Sequence, residues 1–280
     1  KTGTLTHNEM TVKKLYANGR TIEVSGSGYL PEGIFIHQGK PVSNEGIELL
    51  LKIGALNNDA VLTPEHKIIG DPTEGALVVS AAKAGLTKQV LEQQSPRINE
   101  IGFDTQRKRM TTIHKAAKGH VAYVKGAPDM LLALCSHINE NGKVRKITMQ
   151  DKKKIVAANE AYAKDALRVL AFAYRPLKPK EAVSKELEKN LIFVGLQAMI
   201  DPPRPEVFNS IKRCKEAGIR IIMITGDHKL TAEAIARELG IEGKAIAGEE
   251  LGEQSLDAII DDYAIFARTN PAHKSQIIDA

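Results

Sequence analysis

The sequence predicts an α/β chain made of two unlike parts, and three observations carry that prediction. The last third alternates helical and strand-like segments, which is the grammar of a parallel sheet. The middle holds an antiparallel hairpin among helical segments in no alternating order, an α+β pattern. The composition, 280 residues with 42% hydrophobic and 26% charged, is that of a globular chain able to bury a sizeable core.

Taken in order, residues 18–46 are polar or Gly/Pro-bearing and read as a connector. Helical patterns cover residues 44–57 and 72–84. Residues 108–115 and 120–125 read as two strands joined by a turn that ends in Gly119. Helical patterns return at 128–135 and 149–165, where Lys152, Lys153 and Lys154 form a solvated face. Strand-like runs follow at 167–174 and 191–197, separated by a polar connector over 177–189. Val207, Ile211 and Cys214 then fall at helical spacing between Pro205 and Gly218. The apolar run 219–224 reads as a strand buried on both faces, and a turn at Thr225-Gly226-Asp227 leads to a helix over 231–239, closed by Gly240. A strand over 263–268 passes through Asn270-Pro271 into a helix carrying Lys274 and Ile277.

Composition narrows the function classes. Lys+Arg exceed Asp+Glu by 39 to 34, a net +5 that suits a phosphate-bearing small molecule. With no Trp and 4% aromatics, platforms for nucleic-acid bases are scarce. The longest apolar stretch, residues 191–200, is half of the ~20 residues a membrane helix needs and is broken by Gly195 and Gln197. Cys135 and Cys214 lie far apart without metal-ligand spacing, which points to a reducing compartment. The first residue is Lys1, not Met, and Ala280 falls inside a helical pattern, so the expectation is a piece of a longer protein.

Chemistry is expected where strands end. In open α/β sheets ligands sit beyond the carboxyl ends of the strands, and Thr225-Gly226-Asp227 and Arg268 fall at such ends. There a Gly lets backbone N–H groups approach an anion, a Thr hydroxyl donates to a phosphoryl oxygen, and Asp either holds the loop or caps the next helix. Lys274 in the first turn of a helix opposes the helix dipole, so it is either a solvated lysine or one that reaches an anion. Lys1-Thr2-Gly3-Thr4-Leu5-Thr6, taken alone, is a loop.

Together these segments resemble one family, the P-type ATPases. Lys1-Thr2-Gly3-Thr4-Leu5-Thr6 is similar to the tail of their Asp-Lys-Thr-Gly-Thr signature, cut just after the phosphorylated Asp. Asp201-Pro202-Pro203-Arg204, Met223-Ile224-Thr225-Gly226-Asp227, and Phe266-Ala267-Arg268 with Lys274 resemble later signatures in the right order. Lys125-Gly126-Ala127-Pro128, the segment from Gly70 to Leu77, and Phe103-Asp104 with Arg107-Lys108-Arg109-Met110 resemble those of the nucleotide domain. The resemblance covers the whole chain. No His-Pro signature of heavy-metal pumps is present, lipid flippases generally lack the Asp-Pro-Pro-Arg form, and proton pumps usually lack the Phe103–Met110 pattern. Bacterial calcium-transporting ATPases are the nearest match, with other type II cation pumps next.

The resemblance implies a haloacid-dehalogenase-like phosphorylation domain (residues 1–9 and 201–280), incomplete here, with an inserted α+β nucleotide-binding domain (residues 10–200). ATP and Mg²⁺ are the implied cofactors. Phe103 would stack on adenine, or else be a core residue at a strand end. Lys125 would line the adenine pocket or meet phosphate, with Gly126 and Ala127 small enough for close approach, and Lys108 would be a second lysine of that pocket. Glu74 would hydrogen-bond the nucleotide while sharing a capping box with Asp71, and Arg168 would reach the phosphates. Thr2 would give its backbone carbonyl to Mg²⁺ and its hydroxyl to the phosphoryl group. Thr225, Gly226 and Asp227 would cradle the phosphate, Lys274 would neutralise developing charge, Arg268 would approach the nucleotide, and Asp201 would orient the domain interface.

Two departures matter. Related calcium pumps often carry an Arg two residues after the Phe, where Thr105 stands, so its bond to phosphate is either missing or made by Arg107. The acceptor Asp and the Gly-Asp-Gly-x-Asn-Asp segment are missing, so these residues are expected to bind nucleotide without forming the phosphoenzyme. The implied partners are ATP and the membrane and actuator domains of the full-length chain, on the cytoplasmic face of a pump, with no nucleic acid and no membrane insertion by this stretch. The alternatives are a haloacid-dehalogenase-type phosphatase with a cap domain, or a non-catalytic nucleotide-binding module.

Overall fold

The structure is a computed structural model that describes residues 3–117, 119–178, 184–253 and 256–280. Contacts divide the chain into two compact units, Met10–Ala163 with Leu167–Ile200, and Lys1–Glu9 with Lys164–Ala166 and Asp201–Ala280.

The first unit runs β1 (Thr11–Ala17), β2 (Arg20–Val24), β3 (Phe35–His37), β4 (Lys40–Val42), α1 (Glu48–Leu56), β5 (Val61–Leu62), β6 (Ile68–Ile69), α2 (Pro72–Lys83) and α3 (Lys88–Gln94). It continues with β7 (Arg97–Asp104), β8 (Arg109–Lys115), β9 (His120–Gly126), α4 (Pro128–Ala133), β10 (Cys135–Glu140), β11 (Lys143–Lys146), α5 (Met149–Lys164), β12 (Arg168–Leu177) and β13 (Leu191–Ile200). Among the described residues β5 and β6 pair with each other, and the other eleven strands form a mostly antiparallel sheet in the order β4-β3-β2-β1-β13-β12-β9-β8-β7, with β10 parallel to β13 and carrying β11. The hairpin expected over 108–125 is β8–β9, paired from Arg109↔Gly126 to Lys115↔His120.

Side chains alternate across the sheet, so β1, β9, β12 and β13 each serve two cores. Leu15, Tyr123 and Phe172 pack with Ile53 and Leu77 of α1 and α2 on one face. Tyr16, Val124 and Ala171 pack with Leu131 and Tyr162 of α4 and α5 on the other. The connector expected over residues 18–46 contains three strands instead. Asn18-Gly19 and Gln38-Gly39 hold positive φ at both positions, 53° and 72°, then 51° and 73°, the geometry that closes a two-residue hairpin.

The second unit contains α6 (Pro205–Glu216), β14 (Met223–Ile224), α7 (Lys229–Glu238), β15 (Lys244–Ala247), α8 (Leu256–Ile259), β16 (Tyr263–Ala267) and α9 (Pro271–Asp279). Its three strands are parallel in the order β14-β16-β15, around a core of Ile246, Phe266 and Ile277. The strand expected over 219–224 is shorter and less covered. Only Met223–Ile224 pairs, at a sheet edge with β16 on one side, and Ile219 is 58% exposed. The segment before Met10 joins this unit. Thr6 bridges Pro203, and its buried hydroxyl donates to Asp201 Oδ2 at 2.6 Å. Arg204 adds bonds from Nε to Thr6 O (3.1 Å) and from Nη2 to Gly3 O (3.2 Å). Asp201 thus clasps the N-terminal segment. Among the described residues no helix is long and apolar enough to cross a membrane.

Candidate functional site

One end of the large sheet gathers residues that are far apart in sequence. Lys125 lies next to last in β9 and is 7% exposed, a costly place for an ammonium. Its Nζ donates to Glu74 Oε1 at 2.5 Å and to the Asn57 carbonyl. Burial pulls the Lys125 pKa below the usual lysine range, and Glu74 is the largest influence pulling it back up.

Glu74 is held there by local sequence. Asp71 caps α2, its Oδ1 accepting from Thr73 N (2.8 Å) and Glu74 N (3.3 Å), and Pro72 starts the helix. The reciprocal half of the expected capping box does not form. Glu74 Oε2 accepts instead from Asp59 N at 2.9 Å, because the carboxylate leans away from its own helix toward Lys125. Arg168, the first residue of β12, donates from Nη1 to Thr73 Oγ1 at 2.9 Å, beside Glu74.

The β7–β8 turn closes this end. Phe103 is 66% exposed, so the reading of it as a core residue fails. Lys108 has a left-handed φ of 50°, and its carbonyl accepts from Ala127 N at 2.9 Å. Gly126 is small for a reason inside the fold: a Cβ there would lie 2.6 Å from both Arg109 Cβ and Lys108 O. Arg107, the alternative to the arginine that Thr105 replaces, is engaged within the fold. Its guanidinium donates to Glu188 Oε1 (2.5 Å) and Gly102 O (2.6 Å).

Two buried residues at this end carry no motif signal. Asn57, 0% exposed at the end of α1, donates from Nδ2 to Met110 O (3.0 Å) and Tyr123 O (2.7 Å), tying α1 to β8 and β9 beside Lys125. In the sequence it reads only as a helix-ending residue. The second is Glu188, in the stretch read as a polar connector.

In the second unit, Thr225-Gly226-Asp227 follows β14 and Arg268-Thr269 follows β16. The two loops are stitched together: Thr225 N donates to Phe266 O (2.8 Å), Arg268 N to Asp227 O (2.8 Å) and Thr269 N to Thr225 O (3.0 Å). Thr225 Oγ1 donates to Asp227 Oδ2 at 2.8 Å, so Asp227 holds the loop, and His228 rather than Asp227 caps α7. Arg268 Nη1 donates to Glu249 Oε1 at 2.9 Å. Lys274 is exposed in the first turn of α9. Thr2, the expected Mg²⁺ ligand, lies outside the described residues, and among those described no group of three His, Cys, Asp or Glu is placed to hold a metal ion.

Residues 46–206 match the family model described as the P-type ATPase cytoplasmic domain N. The chain is 40% identical over 294 residues to a calcium-transporting ATPase of Bacillus subtilis (strain 168), covering 100% of this chain and 33% of that protein. It is 43% identical over 286 residues to calcium-transporting ATPase 1 of Bacillus cereus, covering 100% of this chain and 31% of that protein. Identity is again 43%, over 303 residues, to the cation-transporting ATPase pma1 of a Synechocystis species, covering 100% and 33%. The chain thus spans about a third of the length of the curated relatives it matches.

Proposed function

The chain belongs to the P-type ATPase family, and from that premise we propose that it is the ATP-binding and phosphoryl-transfer portion of a pump that moves cations, calcium in particular, across a membrane. Met10–Ala163 with Leu167–Ile200 is the nucleotide-binding domain in this reading. The unit holding Asp201–Ala280 is a haloacid-dehalogenase-like phosphorylation domain. The observation that carries the proposal is the gathering of Glu74, Phe103, Lys108, Lys125 and Arg168 at one end of one sheet.

Each group has a task there. The exposed Phe103 ring offers a flat apolar face to adenine, while Glu74 offers carboxylate lone pairs to donors on the base. Gly126 and Ala127 line the pocket. Lys108, Lys125 and Arg168 meet the negative charge of the nucleotide, Arg168 as a forked donor. Phosphoryl transfer asks little covalent chemistry of a protein, so positioning and charge neutralisation dominate. Thr225, Gly226 and Asp227 would cradle the phosphoryl group at the parallel strand ends, Lys274 would neutralise charge, and Arg268 would approach the nucleotide. Mg²⁺ accompanies ATP in this reading and supplies charge neutralisation when bound. In this reading the 280 residues bind nucleotide.

Calorimetric titration with ATP tests the proposal, with the wild type beside Lys125→Ala and Phe103→Ala. Saturable binding that weakens in both variants is the expected result. Absence of binding by a folded wild type overturns it.

A further inference from the structure

Glu188 is 0% exposed, although it stands in a run of charged residues between β12 and β13. Three donors meet its carboxylate: Arg107 Nη1 at 2.5 Å, Arg109 Nε at 2.7 Å and Thr111 Oγ1 at 2.8 Å. Burial pushes the Glu188 carboxyl up, but these donors outweigh it and hold the group below its ordinary range. A buried carboxylate with this set of charge-assisted bonds is a strong local anchor.

What it anchors is the turn between β7 and β8. Arg107 Nη2 reaches Gly102 O at 2.6 Å, immediately before Phe103. Arg109 Nη1 reaches Arg107 O at 3.0 Å. Within the turn, Asp104 Oδ1 accepts from Arg107 N (2.7 Å) and Lys108 N donates to Asp104 O (2.7 Å). The left-handed φ of 50° at Lys108 is uncommon for a lysine and has to be held by its surroundings. Of the three consecutive cations Arg107, Lys108 and Arg109, the outer two are drawn to Glu188 and the middle one is left to the site.

Resting on the nucleotide reading of Phe103 and Lys108, we propose that Glu188 is a positioning residue of that site. By holding Arg107 and Arg109, it fixes the turn that presents Phe103 and Lys108 to ATP and keeps both guanidiniums off the nucleotide. Nothing in its own stretch of sequence marks it, because the charge it answers lies about eighty residues earlier.

The test uses the 280-residue chain with Glu188→Gln and Arg107→Gln. Three readouts are taken: ATP affinity by calorimetry, amide exchange at Lys108 by NMR, and urea stability. Glu188→Gln is expected to weaken ATP binding about tenfold under conditions where it is folded, and to speed exchange at Lys108. Arg107→Gln, which leaves the Arg109 pair intact, should shift both in the same direction by less, and it decides the matter should Glu188→Gln not fold. Lower urea stability with unchanged ATP affinity and unchanged Lys108 exchange would mean a structural role only, and would overturn the proposal. Failure of the nucleotide reading shows separately, as a wild type that binds no ATP. Exchange at Lys108 then still reports whether Glu188 holds the turn.

Discussion

Glu74→Gln removes the anion that faces Lys125 at 2.5 Å while preserving the size of the side chain. The ammonium is 7% exposed and would keep the Asn57 carbonyl and a neutral amide oxygen as its partners. With charge centres ~3.5 Å apart and an effective dielectric of ~20, the attraction removed is about 5 kcal/mol. The amide oxygen returns part of this and Lys125 can shed its proton, so the expected loss of stability at neutral pH is about 2–4 kcal/mol. The pH dependence follows from the proton. Burial already lowers the Lys125 pKa, and without Glu74 it falls further, while the unfolded value stays near ~10.4. Between those two values the folded variant binds fewer protons than the unfolded one, so its stability climbs with pH. Below the folded value both states carry the proton and the full deficit remains. Urea titrations of both proteins from about pH 6 to about pH 10 measure this. A deficit under ~1 kcal/mol at neutral pH, or one that does not shrink as pH rises, would refute the pairing argument.

Three further outcomes are expected. Asn57→Ala removes the donor shared by Met110 O and Tyr123 O in a fully buried site, and should cost about 2–4 kcal/mol in urea unfolding. Gly126→Ala forces a methyl to within 2.6 Å of Arg109 Cβ and Lys108 O, so a loss of about 1–3 kcal/mol is expected, visible as a lower melting temperature. Lys83 donates to Ser25 O at 2.6 Å, and burial with the nearby Lys13 ammonium pulls its pKa down to about 8. Wild-type stability should therefore rise between about pH 8 and ~10.4 by at most ~1.4 kcal/mol per pH unit from this proton, and Lys83→Met should lack that increment in paired denaturation curves.

Much of the candidate site is legible as residue types at set spacings, but the partners of those residues are not. Lys125 stands out as a pocket lysine in Lys125-Gly126-Ala127-Pro128, whereas its dependence on Glu74 and Asn57 appears only when α1, α2 and β9 are packed together. Glu188 sits among lysines and glutamates, and nothing local distinguishes it from its solvated neighbours. The strands β2 to β4 are a different matter. Asn18-Gly19 is a hairpin signal, and Arg20–Val24 alternates exposed and buried from Thr21 onward, so the information was present beneath the Gly/Pro content of the stretch. Residues 219–224 mislead in the opposite way. An apolar run announces a strand, but coverage depends on neighbours, and β14 has β16 on one side only.

In the proposed function ATP binds at the end of the large sheet that carries Glu74, Phe103, Lys108, Lys125 and Arg168. Amide chemical shifts recorded during an ATP titration test it most directly, because they locate the ligand as well as detecting it. The largest changes are expected at residues 73–75, 102–109, 125–127 and 168, and are expected to be absent in Phe103→Ala at the same ATP concentration. Changes centred instead on the groove lined by Asn18, Arg20, His37 and Asn141, with the Phe103 turn silent, would contradict it.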